Sequence, residues 1–319
     1  MRPWVVLEDS ANHTKVTGGL AARMSPAVGG SLQTEVVEVQ KLPNLSPAQV
    51  MELQDALLAN ADTLLTSALA VLDLRHVPLA RSLAILGLEE CGKAIAVHER
   101  RVEMASAPEG EPFTCDRLDE LWASHQKKLE IVHAFLVDEP YWFGTEPADP
   151  VENATYLGTI KTWSRRHNRL KMRGFYVDLS KTGAVMAPTG VADEECLRDV
   201  IAHVHQIGWQ LRLGEHVEGK KQDEQEAGLP PATEEGVAWT TGSHAAESPP
   251  EVRQIITDLV ESMTEGTPGE PLRNAAYRFN PPGADRSPFH NLGEPGYEAE
   301  TRELLRLKQE LDRREEEGK

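Results

Sequence analysis

Hydrophobic residues recur at helical steps through most of the middle of the chain. Leu53, Leu57, Leu64, Leu65, Ala68, Leu69 and Leu72 mark a long amphipathic helix that opens after Ser46 and Pro47 and runs to about Arg75. Serine is a good N-cap, and proline suits the first helical position, where its missing N–H leaves nothing unsatisfied. His76-Val77-Pro78 breaks this helix, and a second runs to about Ala105. On the second, Leu79, Leu83, Leu86, Glu90, Ala94 and Val97 recur at steps of three and four, the period of one helix face. Glu90 therefore stands in line with leucines, and a charge on a buried stripe is costly unless it is paired. The pattern predicts that Glu90 faces a polar site between helices. The plainer alternative is one tolerated acid beside an ordinary ion pair, because Glu89 and Lys93 are four apart with the acid first.

A third helix is predicted over 114–138, with Leu118, Leu121, Trp122, Leu129, Val132 and Phe135 on its apolar side. EPYWFGTEPADP is a turn-rich connection. Helix resumes over 151–173 and ends before Gly174, a C-cap position. Phe175 to Gly190 reads as extended or irregular, and a further helix spans about Asp193 to His216. Beyond it the patterning weakens. EVRQIITDLVESM is a short amphipathic helix, RNAAYRFNPPGADRSPFHNLGEPG is dominated by turns, and the last twenty residues form a charged helix, exposed or bound to a partner. No internal repeat and no alternating strand series is present. The expected organisation is a flexible N-terminal segment over 1–45, holding a short extended piece at TEVVEVQKL, and an antiparallel helical bundle over 46–217. An acidic Gly- and Pro-rich linker over 218–248 and a C-terminal extension with short helices over 249–319 complete it. The fold class is all-α, with an irregular acidic C-terminal extension.

Composition agrees with helices. Hydrophobic residues make up 40% of the 319 positions and aromatics only 5%, so the core is built from Leu, Ala, Val and Ile. The formal net charge of −18 has much of its excess after residue 214, and repels nucleic acid at long range without excluding a local basic site. Cys91, Cys115 and Cys196 form no zinc-type spacing, which fits a reducing cytoplasm. No apolar run reaches membrane-spanning length, no secretory signal is visible, and no membrane partner is expected. The chain carries no GxxxxGK[ST], GxGxxG after a strand, HExxH or GxSxG, so ATP hydrolysis, dinucleotide oxidoreduction, zinc proteolysis and α/β-hydrolase chemistry lose support.

Three segments could carry chemistry. KTWSRRHNRLKMR is a basic stretch without an acid, in which Arg166, Arg169 and Arg173 line one helix face while Ile160, Trp163, His167 and Leu170 line another. An arginine stripe suits bidentate phosphate contacts, and a solvated face paired with neighbouring acids is the competing reading. In SHQKKLEIVH, His125 and Lys128 lie one turn apart, with His133 two turns from His125 and no carboxylate to complete a metal site. In LRDVIAHVHQIG, Arg198 and His205 share a face, whereas His203 is displaced from Arg198 by about 140°. An arginine beside a histidine suits metal-free RNA cleavage, since one steadies phosphorane charge and the other moves a proton. A surface helix with incidental polar residues is the competing reading.

ARSLAILGLEECGKAIA resembles the second-helix segment of the AbiV-type abortive infection proteins of the HEPN superfamily. SHQKKL looks like their next motif, and KMRGFYVDL, with Arg173, Gly174, Tyr176, Val177 and Asp178, looks like a third; the three occur in the expected order. The resemblance covers about residues 48–215. It implies a HEPN-like helical bundle, usually a homodimer, acting in antiviral defence. It also implies a metal-independent ribonuclease with an arginine and a histidine on a late helix separated by four to six intervening residues, matched by Arg198 with His203, and with His205 as the alternate. Glu89, Glu90, Lys93, His125, Lys128, Arg173, Tyr176 and Asp178 match the family's polar positions and become the wall or the support of the site. On this reading Arg166, Arg169 and Arg173 hold RNA, cleavage blocks translation and leaves a 2′,3′-cyclic phosphate, and neither metal nor cofactor is needed. A non-catalytic HEPN module that binds a phage protein or a toxin is the alternative. A helical scaffold unrelated to defence, with core ion pairs at 89–93, is the third.

Overall fold

A computed structural model describes residues 41–138, 149–188 and 194–228, together with 231, 249, 255, 264, 266–284, 287 and 289–317. Most of the N-terminal segment expected to be flexible lies outside the described residues. So do the connection at 139–148, most of the linker beyond 228 and most of the short helix expected at 251–263.

Helix α1 (Pro47–Asp73) starts at a complete capping box: the Ser46 hydroxyl accepts from the Gln49 N–H while the Gln49 side chain accepts from the Ser46 N–H. Val50, Leu57, Leu58, Ala61, Leu65 and Ala68 form its buried face. By length and composition α1 could cross a membrane, at a mean hydropathy of 1.3, but these residues pack into the protein core.

Helix α2 (Val77–Ser106) runs through the centre and contacts α1 on one side and four further α-helices on the others. Its fully buried face is Ala80, Ala84, Ile85, Leu88, Cys91 and Ile95. Each Leu or Ile so placed contributes roughly 1.5–3 kcal/mol. The stripe of Leu79, Leu83, Leu86 and Glu90 is only half-buried and forms the rim of the core. The acid sealed inside is Glu89, not Glu90, because small residues rather than leucines mark the side of α2 that neighbours approach most closely.

The third expected helix is two, α3 (Asp116–Ala123) and α4 (His125–Asp138), divided at Ser124. The fourth is also two, α5 (Pro150–Leu157), capped by Asp149, and α6 (Ile160–Phe175), capped by Thr159. Between them Gly158 takes a left-handed φ of 75°. Gly174 does not end α6. It lies within the helix where a Cβ would strike the Ser82 hydroxyl and the Pro78 carbonyl, so its bareness lets α6 press onto α2. The Ser82 hydroxyl then donates to the Lys171 carbonyl at 2.8 Å. A two-residue antiparallel hairpin follows, β1 (Asp178–Leu179) with β2 (Val185–Met186), Asp178 facing Met186 in register.

Helix α7 (Glu194–Ala227) runs eleven residues past the expected His216, into the segment read as linker. Leu197, Val200, Val204, Ile207 and Leu211 are buried, and the Cys91 thiol approaches the Val204 carbonyl at 3.8 Å. Farther along, Glu215 is half-buried within an ionic layer. It accepts from Arg212 at 2.8 Å, Gln54 at 2.8 Å and Arg101 at 3.4 Å, while Arg212 also reaches Asp55 at 2.6 Å. Burial pushes the Glu215 carboxyl up, but Arg212 and Arg101 outweigh it and hold it below the ordinary range. The last helix, α8 (Glu298–Glu317), packs on α7 and touches α1.

Candidate functional site

Two polar assemblies sit around α2 and α6. In the first, the Glu89 carboxylate, 3% exposed, lies among α2, α4 and α6. It is ion-paired with Lys171 and accepts from or shares a proton with His125 Nδ1 at 2.6 Å. The expected Glu89–Lys93 pair is absent. Lys93 turns instead to Glu90 at 2.7 Å and lies over the Trp122 ring, because Glu89 points into the α4–α6 seam. Lys128 is buried beside them. Desolvation, with Lys93 adding to it, lowers the pKa of its ammonium against the pull of Glu89 and Glu90. Gly92 makes this closeness geometrically feasible, since a Cβ there would fall on the Lys128 carbonyl. The His125 side chain is 61% exposed, and its other ring nitrogen, Nε2, has no partner among the described residues. A carboxylate that fixes an imidazole through Nδ1 and leaves the far nitrogen outward is an arrangement able to move protons.

The second assembly lies at the opening turns of α7. Arg198 is exposed and lines an open cavity of about 240 Å³ with Leu72, Asp73, Arg75 and Leu197. His203 stands about 140° round the helix from it. Its Nδ1 is buried with no hydrogen-bond partner. Burial lowers the His203 pKa and Asp199 opposes the shift, so the ring is neutral near pH 7. The Tyr156 hydroxyl donates to Asp199 at 3.3 Å, tying α5 to α7. His167 on α6 faces the same interior. Its Nδ1–H donates to the Trp163 carbonyl at 2.9 Å, and burial, with lesser effects from Arg166, His203 and Arg81, brings its pKa down to about 4. His205 is engaged elsewhere, by Glu303 at 2.8 Å and Arg302 at 3.2 Å from α8.

The structure therefore brings together Glu89, Glu90, Lys93, His125 and Lys128. No contact among the described residues joins them to Arg198, His203 or His205. Arg166, Arg169 and Arg173 are exposed along the outer face of α6, opposite Lys171. Tyr176 and Asp178 are exposed at and just before the hairpin, and Asp178 caps its own neighbour by accepting from the Leu179 N–H at 2.7 Å. Lys171 and His167 are the members that periodicity missed as site residues. Their signal was present: both fall on the Trp163–His167–Leu170 side of α6, the side its exposed arginines leave for the core. Among the described residues, no three His, Cys, Asp or Glu side chains are grouped to hold a metal ion.

No curated protein and no solved structure matches the chain. The family model for AbiV, a HEPN family, matches residues 49–209, which contain both assemblies and stop short of Arg212, Glu215 and all of α8. The chain belongs to the AbiV family of HEPN proteins.

Proposed function

We propose that this chain is an abortive-infection protein that cuts RNA without a metal ion and thereby blocks translation during phage infection. The observation that carries the reading is the start of α7. There Arg198, with no partner among the described residues, edges an open cavity, and burial holds His203 neutral five residues on. A neutral imidazole can take the proton of a ribose 2′-hydroxyl. The 2′-oxygen then attacks phosphorus, the bond to the 5′-oxygen breaks, and an imidazolium returns a proton to that leaving oxygen. Arg198 offsets the phosphorane charge. The products are a 2′,3′-cyclic phosphate and a 5′-hydroxyl, with no net proton change. Arg166, Arg169 and Arg173 hold the RNA backbone, and a homodimer brings two copies of α7 to one substrate.

The test is cleavage of total and phage RNA in excess chelator by the wild type and by His203→Ala, His205→Ala and His125→Ala. A loss of about 10²–10⁴-fold is expected for the histidine that moves the proton. Undiminished cleavage in both His203→Ala and His205→Ala removes the α7 assignment, and loss confined to His125→Ala transfers the chemistry to the Glu89 cluster. The engagement of His205 by α8 and the separation of Arg198 from His203 around the helix favour a second reading, a non-catalytic HEPN module. A protein that leaves RNA intact but copurifies with a phage product selects that reading.

A further inference from the structure

Helix α1 ends in a turn that glycine ordinarily closes. The Arg75 N–H donates to the Leu72 carbonyl at 2.8 Å and the His76 N–H to the Val71 carbonyl at 3.2 Å, the paired bonds of a Schellman end. Such an end needs a left-handed residue just past the C-cap. Here that residue is Arg75, at φ 63°, the one non-glycine with positive φ among the described residues. A side chain in this conformation costs roughly 1–2 kcal/mol, which glycine avoids. An arginine kept at a strained position calls for a use of its guanidinium.

The surroundings point to one. Arg75 lines the same cavity as Arg198, about 240 Å³ in volume, walled by Leu72, Leu197 and Asp73. Both arginines are exposed. Neither side chain makes a hydrogen bond or ion pair with any described residue, Asp73 included. In a chain with 51 acids against 33 bases, two unclasped arginines on one cavity run against composition. Asp73 leaves the cavity with a net positive charge, and the apolar leucine wall strengthens attraction to an anion. Planar guanidinium groups match tetrahedral phosphate oxygens bidentately.

We propose that Arg75 and Arg198 form a seat for one backbone phosphate of single-stranded RNA. Arg75 is a binding residue contributed by the end of α1, and the identity of the anion rests on the RNA reading above. The test uses the full-length protein and a 2′-O-methyl RNA oligonucleotide, which binds without being cut. Affinity is measured by fluorescence anisotropy across a salt series for the wild type, Arg75→Gly and Arg198→Gln, with thermal melts alongside. Arg75→Gly is expected to weaken binding on the order of tenfold and to lower the salt slope by about 0.7, the share of one phosphate on a single strand. The same variant is expected to melt at the wild-type temperature or above it, since glycine relieves the turn. Wild-type affinity in Arg75→Gly, with a lowered melting temperature, overturns the proposal and makes the arginine a helix-end device. Inorganic phosphate provides a second arm. A wild type that binds neither oligonucleotide nor phosphate overturns the seat. Phosphate binding lost in Arg75→Gly, without oligonucleotide binding, keeps the seat and removes RNA as its occupant. Arginine-dependent oligonucleotide binding without cleavage of ordinary RNA keeps the seat and removes the nuclease.

Discussion

Glu89 and Lys171 are each 4% exposed at the side chain, so each is tolerated in the core only because the other is there. Glu89→Ala strands an ammonium among α2, α4 and α6, and is expected to lower the unfolding free energy by about 3–5 kcal/mol. The pair as a whole is worth much less than either half, because both charges have been taken out of water. The double variant Glu89→Leu, Lys171→Met should therefore recover most of the loss in urea unfolding. A double variant no better than the single one would mean that the contact with His125, rather than the ion pair, fixes the seam. The helical period identified α2 and its acids but chose the wrong acid for the interior. It follows the large apolar side chains, and on α2 the leucines at 79, 83 and 86 stand at the rim while alanines, Gly87 and Cys91 face the closest neighbours. Volume complementarity between helices, which decides which side is inside, is not written in any one helix.

Gly92 and Gly208 separate two grades of helix approach. A Cβ at Gly92 would fall on the Lys128 carbonyl, backbone that cannot step aside, whereas at Gly208 it would meet the Ala299 methyl at 3.1 Å. Gly92→Ala is expected to cost about 1–3 kcal/mol as α4 is pushed off α2, and Gly208→Ala well under that. Equal losses in thermal or urea melts would show that the α2–α4 seam relaxes freely. Strong local chemistry was legible at this scale: the Ser46–Pro47 start of α1 and the break before Pro78 lie within two residues of their predicted places. The division at Ser124 was not, since apolar periodicity continues across it and no proline or glycine announces it. The division at Gly158 had its glycine but was overridden by the helical pattern on both sides. The end of α6 also lies within two residues of its predicted place, but Gly174 serves contact with α2 rather than chain termination.

The C-terminal extension lies outside the family match, yet its helix α8 is clasped to α7 and α1 through contacts separated by 84 to 240 positions in sequence. His205 meets Glu303, His216 meets Glu300 at 2.9 Å, and Arg302 crosses to Asp62 at 2.5 Å. Contacts so distant in sequence leave no periodic trace, which is why α8 reads from sequence as a helix either exposed or bound to a partner. Its partner is the chain itself. The clasp makes docking sensitive to pH. The hydrogen bond that His216 donates to the Glu300 carboxylate raises the His216 pKa, burial opposes this, and the charges of Glu300 and Glu215 assist while Arg212 counteracts. A histidine whose folded pKa is raised contributes fully below its unfolded value near 6.5, and loses the contribution as pH climbs through the folded value. Amide-exchange protection of the first turns of α8, corrected for the intrinsic rate, should therefore fall as pH rises above the unfolded histidine value near 6.5. His216→Ala should start lower and change less across the same range. Protection that holds constant in the wild type would assign the docking of α8 to Arg302–Asp62 and to packing at Gly208. A loss shared equally by α1 and α7 would instead report loosening of the bundle. Release confined to α8 frees His205 from Glu303 and His216 from Glu300 without disturbing the helix that bears them.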